Sequence, residues 1–204
     1  MTVVTELDVG DRQVITLGSG AERDRAFAEV CRLNPDARIE QTAEGDIIIM
    51  APTGGESGYQ SSETNRQLAN WANVDGTGRV FDAGTGFILP DGAKRSPDSA
   101  WVRLEKILSL PKALRKTYLP LTPDFAIEVL SPSDRLKETQ EKCREYIANG
   151  TSEAWLIDPE HRAVWNYSQA EPQGRESNGL ESLTSKFLSG FTLDLRPIWQ
   201  GLDL

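Results

Sequence analysis

Apolar residues recur along this chain with two periods, and the switches between them mark out its elements. Between residues 21 and 33, Phe27, Val30 and Cys31 form a helical stripe that Asn34-Pro35 ends. Residues 38–41 and 46–50 read as two strands of a hairpin around Glu44-Gly45. After the break at Ala51-Pro52-Thr53-Gly54-Gly55, helical spacing resumes over residues 56–73, with Thr64, Leu68, Trp71 and Ala72 on one face. Strands are expected at 79–81, 87–89 and 99–103, and a short basic helix at 112–117 between proline stops. The clearest buried strand is 125–130, apolar throughout except for Glu128. Ser131-Pro132-Ser133-Asp134 then supplies a break and a cap for a helix over 136–148. Residues 153–157 and 163–167 read as paired strands around Asp158-Pro159. Residues 169–179 read as a polar loop and 180–195 as one or two edge strands. Residues 1–18 are weakly patterned and read as an extended lead-in. The mixture predicts an α+β (α/β) fold, a mixed central sheet flanked by helices, in a single domain over residues 1–204.

Composition narrows the chemistry. At 204 residues and 38% hydrophobic content the chain can bury a sizeable core. No run approaches the roughly 18 apolar residues of a membrane span, and no basic region followed by an apolar block opens the chain, so neither a membrane nor a signal peptide is expected. Cys31 and Cys143 are far apart and lack metal or redox spacing, which fits thiols packed in helices and a cytoplasmic location. The single histidine, His161, lies in the acidic turn Asp158-Pro159-Glu160-His161-Arg162 and reads as a solvated residue. Histidine triads and multi-histidine zinc sites are therefore excluded. Any acid–base or metal chemistry must come from carboxylates and lysines, and oxygen ligands favour magnesium or manganese.

A net charge of −9 argues against a general nucleic-acid coat. Between Lys94 and Leu119, however, seven basic residues (Lys94, Arg95, Arg103, Lys106, Lys112, Arg115 and Lys116) stand against Asp98 and Glu105, a local excess of +5. Such a run is usually a solvated face, but this one adjoins a candidate acid site.

Glu128 is the anomaly within its strand. An unpaired buried charge costs several kcal/mol, so Glu128 needs a partner, and a salt bridge explains it as well as a cation does. Asp98 offers a second carboxylate, placed at the start of a strand by Pro97, although an aspartate after proline is also a common turn. Lys142 lies on the border of the apolar stripe of the 136–148 helix, formed by Leu136, Cys143, Tyr146 and Ile147. A border lysine is usually a snorkelling surface residue, but beside a cation or phosphate it would orient a water.

Pro97-Asp98, a strand bearing Glu128, and a lysine together resemble the PD-(D/E)xK nucleases of the restriction-endonuclease-like superfamily. Longer stretches resemble a bacterial family classed as endonucleases, the Uma-two family. They include Ile48-Ile49-Met50-Ala51-Pro52-Thr53-Gly54-Gly55-Glu56, Arg95-Ser96-Pro97-Asp98, Pro123-Asp124-Phe125-Ala126-Ile127-Glu128-Val129-Leu130-Ser131-Pro132-Ser133-Asp134 and Trp155-Leu156-Ile157-Asp158-Pro159. The superfamily's usual lysine position, two residues after the acid, is Leu130 here. The resemblance therefore implies a migrated lysine, with Lys142 the first candidate and Lys137 the second.

The resemblance implies a restriction-endonuclease-like core and a metal-dependent endonuclease that hydrolyses phosphodiester bonds of DNA. Asp98, Glu128 and the carbonyl of Val129 would hold Mg2+ or Mn2+, Lys142 would act on the attacking water, and Glu63 would add an acid from the preceding helix. It also implies a homodimer or higher homo-oligomer. The alternative is a catalytically inactive nucleic-acid-binding or assembly protein on the same scaffold, with Leu130 marking lost chemistry.

Overall fold

The structure is a computed structural model that describes residues 13–16, 21–35, 37–50 and 52–203. The expected lead-in otherwise lies outside the described residues; within it, β1 (Gln13–Thr16) is a strand. There follow α1 (Ala21–Leu33), β2 (Arg38–Gln41), β3 (Asp46–Met50), α2 (Gly55–Asp75), β4 (Gly78–Asp82), β5 (Phe87–Ile88), β6 (Lys94–Arg95) and β7 (Ser99–Arg103). The second half runs α3 (Leu104–Ser109), β8 (Phe125–Val129), α4 (Leu136–Ala148), β9 (Glu153–Asp158), β10 (Ala163–Ser168), β11 (Arg175–Asn178), β12 (Ser182–Thr184), β13 (Thr192–Asp194) and α5 (Arg196–Gln200).

Among the described residues the strands form a six-stranded sheet ordered β11-β10-β9-β8-β7-β4, a five-stranded sheet ordered β1-β3-β2-β6-β5, and the β12-β13 ribbon. In the large sheet β8 and β9 are parallel, joined through α4, while its other neighbours are antiparallel. This is the mixed, helix-flanked sheet expected from the sequence.

Successive strand residues point to opposite faces, and both faces of β8 and β9 are covered. Ala126, Ala154 and Leu156 pack with Cys143, Tyr146 and Ile147 of α4. Phe125, Ile127, Val129, Trp155 and Ile157 pack with Leu68 and Ala72 of α2 and with Phe191, Leu193 and Ile198 from the C-terminal segment. Burial on both faces explains why residues 125–130 read as a continuous apolar run. The two free cysteines lie in helices, Cys31 in α1 and Cys143 in α4. Gly78 is required where β4 passes the ring of Trp101, because a Cβ there would lie 2.2 Å from an indole carbon.

Several local expectations are corrected. Residues 175–178, read as part of a polar loop, form β11, because their backbone completes the edge of β10 while their side chains stay largely in solvent. The basic helix expected at 112–117 is one turn of 3-10 helix, Leu114–Lys116. The strand β6 and the helices α3 and α5 are too short to impose a period on the sequence.

One connection matters most for the site. The strand β6 pairs with β2 and β5 in the small sheet, and residues 96–98 then carry the chain directly into β7 of the large one. Asp98 therefore stands at the junction of the two sheets.

Candidate active site

The β7–β8 ladder pairs Ser99 with Ile127 and Ala100 with Ala126. Continued by one residue, this register sets Asp98 opposite Glu128, and directly opposed residues share a face with Cβ atoms about 5 Å apart. The Oδ2 of Asp98 accepts the Val129 N–H at 2.8 Å, which ties the two strands together at that point. One further step sets Pro97 opposite Val129. Proline has no N–H to offer, so the ladder leaves the Val129 carbonyl without a donor from that position.

The helix α4 lies over the same face. Its Lys142 places Nζ 2.9 Å from Oε1 of Glu128 and 2.7 Å from Oε1 of Glu40. The Tyr146 hydroxyl donates to Glu128 Oε1 at 2.9 Å. Among the described residues no hydrogen bond reaches the second oxygen of Glu128. Glu128 itself is 4% exposed.

The strand β2 completes the cluster. The buried Glu40 accepts the Ser96 N–H at 2.9 Å and pairs with Arg95 at 3.4 Å. Arg95 is also held by Glu145 of α4, at 3.1 Å. Arg38 donates from Nη1 to Oδ1 of Asp98 at 3.0 Å and from Nη2 to the Ser96 carbonyl. Both oxygens of Asp98 are thus engaged, one by a backbone N–H and one by a guanidinium.

The electrostatics follow from crowding. Burial raises the Glu128 carboxyl, Lys142 pulls it down, and the carboxylates of Asp98 and Glu40 push it up again, leaving it at about 7. Burial also raises Glu40, but Lys142, Arg95 and Arg38 outweigh it and hold that carboxyl down at about 2. Burial alone would lower Lys142, yet Glu128 and Glu40 raise it above the ordinary lysine value. The two carboxylates thus favour the ammonium form of Lys142.

The structure brings Asp98, Glu128, Val129 and Lys142 to one place, although their separations in sequence reach tens of residues. Lys137 is not among them: it is exposed at the start of α4. Glu63 also lies apart. It sits on α2, the helix on the opposite face of the large sheet, where it pairs with Arg66 and accepts from Gln67. It lines an open groove of about 680 Å³ with Tyr59, Trp71, Asp194 and Arg196. None of the clustered residues lines that groove. His161 lies outside the cluster, its side chain 70% exposed and its Nδ1 2.8 Å from Asp158.

The sequence reading missed Glu40, Arg38, Arg95 and Tyr146. Most of the formal positive charge between Lys94 and Lys116 is answered by acids elsewhere in the fold. Lys94 bonds Asp24, Arg95 bonds Glu40 and Glu145, Arg103 and Lys106 pair with Asp124, and Arg115 is held by the carbonyls of Leu108 and Leu110. Of that run, only the side chains of Lys112 and Lys116 make no ion pair or hydrogen bond among the described residues.

The donor set suits a hard divalent cation: two carboxylates on opposed strand positions beside a backbone carbonyl without a ladder donor. Among the described residues, no three or more His, Cys, Asp or Glu side chains form a cage. An ion here would keep several oxygen positions for water or phosphate, as magnesium characteristically does.

The chain matches the family Uma2, described as "Putative restriction endonuclease", over residues 25–196. Among solved structures it is similar to "a putative nuclease belonging to DUF820" from Anabaena variabilis. The TM-score is 0.65 at 20% identity, with 79% of this chain and 89% of that one covered. At that identity the likeness speaks for the fold alone. No curated protein matches the chain. Among the described residues no helix is long and apolar enough to cross a membrane. With nearly the whole described chain matched to one family, this protein belongs to the Uma2 family of putative restriction endonucleases.

Proposed function

We propose that the protein is a Mg2+- or Mn2+-dependent endonuclease that hydrolyses phosphodiester bonds of DNA at the Asp98–Glu128–Lys142 cluster. The observation that carries this reading is the placement of Lys142. A lysine from the following helix reaches Glu128, across the ladder from Asp98, where the strand itself bears Leu130. Asp98, Glu128 and the Val129 carbonyl would hold the cation. When bound, that ion supplies a lowered pKa for an attacking water and a countercharge for the phosphate. Lys142, kept protonated by two carboxylates, orients the water and offsets charge developing on the phosphorane oxygens. Glu40 positions Lys142, and Tyr146 fixes the Glu128 carboxyl from below. Val129, through its N–H, fixes the rotamer of Asp98. Lys112 and Lys116 are the basic residues of the 94–116 run left to meet a phosphate backbone. A homodimer would present two such sites to a duplex.

The test is cleavage of supercoiled plasmid by wild type, Glu128→Ala and Lys142→Ala with Mg2+, Mn2+ or chelator. Metal-dependent nicking lost in both variants is the expected result. Cleavage that survives both substitutions is contamination. Absence of cleavage in any metal, with no rise in melting temperature on metal addition, returns the alternative of an inactive binding or assembly protein.

A further inference from the structure

We propose that Arg38 is the internal counter-ion of the Asp98–Glu128 pair, standing on Asp98 while the divalent ion is away and turning to the substrate phosphate when the ion binds. This rests on the metal-dependent reading above and adds a residue to it. Three observations on Arg38 carry the inference. Its Nη1 lies 3.0 Å from Oδ1 of Asp98, the oxygen not taken by the Val129 N–H, and so occupies the position an ion would need. Its side chain is 25% exposed, against 12% for Lys142 and 9% for Arg95, so it is the most solvent-accessible cation of the cluster. Its Nε is buried without a hydrogen-bond partner among the described residues, so the present pose leaves one donor of the fork unspent.

The charge argument gives the direction. Asp98, Glu128 and Glu40 converge, and Lys142, Arg95 and Arg38 answer them. Lys142 and Arg95 are locked between two carboxylates each, whereas Arg38 has one close carboxylate and a second at 4.0 Å. A divalent ion between Asp98 and Glu128 adds two positive charges beside the guanidinium, and the cation with the fewest close carboxylates yields, giving up Asp98 and the Ser96 carbonyl. A guanidinium so released has the planar fork that suits a phosphate. The exchange is a swap of counter-ions and requires no covalent step.

Arg38 thus acts in opposite senses on metal binding and on cleavage, which a merely structural arginine would not do. The experiment is calorimetric titration of Mg2+, and separately Mn2+, into the metal-free full chain without DNA. It compares wild type, Arg38→Gln, Arg38→Met and Asp98→Asn, with plasmid cleavage measured on each. Arg38→Gln and Arg38→Met are expected to bind the ion roughly tenfold more tightly, the scale of removing one charge beside a buried carboxylate, while cleaving more slowly than wild type. Unchanged or weaker ion binding in a folded Arg38 variant overturns the proposal. Failure of both Arg38 variants to fold assigns Arg38 a structural role and overturns it as well. If Asp98→Asn binds the ion as wild type does, the metal reading of the cluster falls. If only Asp98→Asn loses binding and the Arg38 variants match wild type, the Arg38 inference falls alone.

Discussion

Two buried glutamates lie on the adjacent parallel strands of this protein, and their surroundings hold them in opposite ways. Glu153, at the start of β9, is 1% exposed, faces away from α4 and pairs with no cation among the described residues. Its Oε1 accepts from the Trp155 indole at 2.9 Å and the Asn166 amide at 2.7 Å. Its Oε2 accepts from the Ser185 hydroxyl and from the backbone N–H groups of Lys186 and Phe187. Five neutral donors saturate it, and through them it pins the 185–187 turn to the sheet. Glu128, near the end of β8, has one oxygen shared by Tyr146 and Lys142 and a second with no hydrogen bond among the described residues. Two further carboxylates crowd it. A buried carboxylate whose lone pairs are full is a staple. One left short of donors and pressed by like charge is held at an electrostatic cost, which Lys142 offsets. The difference lies in the surroundings, since the two side chains are chemically identical.

That contrast can be broken by substitution. The largest expected effect is on chemistry: Glu128→Ala should reduce metal-dependent cleavage by roughly a thousandfold or more, several kcal/mol of barrier, with a smaller loss of stability in urea than Glu153→Ala, because it strands the Tyr146 hydroxyl while Lys142 keeps Glu40. Glu153→Ala should do the reverse. It strands five donors and should destabilise the fold by about 3 kcal/mol, measurable as a lower urea midpoint, while the protein that remains folded keeps its cleavage rate. Comparable losses of activity in both variants would erase the distinction.

A smaller effect should appear with pH. The Glu128 carboxyl is raised from 4.5 to about 7, so the folded state holds a proton there that the unfolded chain releases earlier. The stability this confers is complete below pH 4.5 and is lost as pH rises through about 7. The metal-free protein should therefore melt at a lower temperature at pH 8 than at pH 6 from this group, and Mg2+ should raise the melting temperature more at pH 8. Glu128→Gln should flatten both trends in a differential scanning measurement.

The smallest effect belongs to Glu63. Its pairing with the exposed Arg66 is a surface contact of the kind usually contributing under about 1 kcal/mol. Glu63→Ala should leave cleavage within about twofold of wild type and barely move the urea midpoint. A large loss of cleavage would require that α2 reach the cluster after all.

Much of the site was legible along the chain, for a reason that Glu128 illustrates. A carboxylate inside an apolar strand is costly wherever the strand is buried, so the anomaly survives without coordinates. Pro97-Asp98 was legible as a position and illegible as a device: only the register places the proline where it denies a donor to Val129. Lys142 stood on the stripe border and Lys137 nearer the cap; in the fold the first is largely buried beside Glu128 and the second is exposed. Glu63 sat on a comparable border, yet its helix covers the other face of the sheet. Helical phase says which residues look inward, without saying what they look at.

Glu40 and Arg38 left no such trace. They alternate with Ile39 and Gln41 on a short strand, the ordinary pattern of a half-solvated hairpin, and their partners lie tens of residues away. The basic run between Lys94 and Lys116 misled for the same reason. Charges can be counted in a sequence, but the acids that neutralise them come from Asp24, Glu40, Asp124 and Glu145 through the fold.

What the sequence determined by itself, then, was local: the periods of its helices and strands, the absence of imidazole chemistry, and one carboxylate stranded in an apolar strand. Tertiary structure decided the rest, namely which acid meets which base, which charges are already answered, and on which face of the sheet each stands. The physical reason is range. Hydrophobic period and backbone propensity act over a few neighbours, whereas an ion pair between β2 and α4 exists only after the small sheet has docked against the large one.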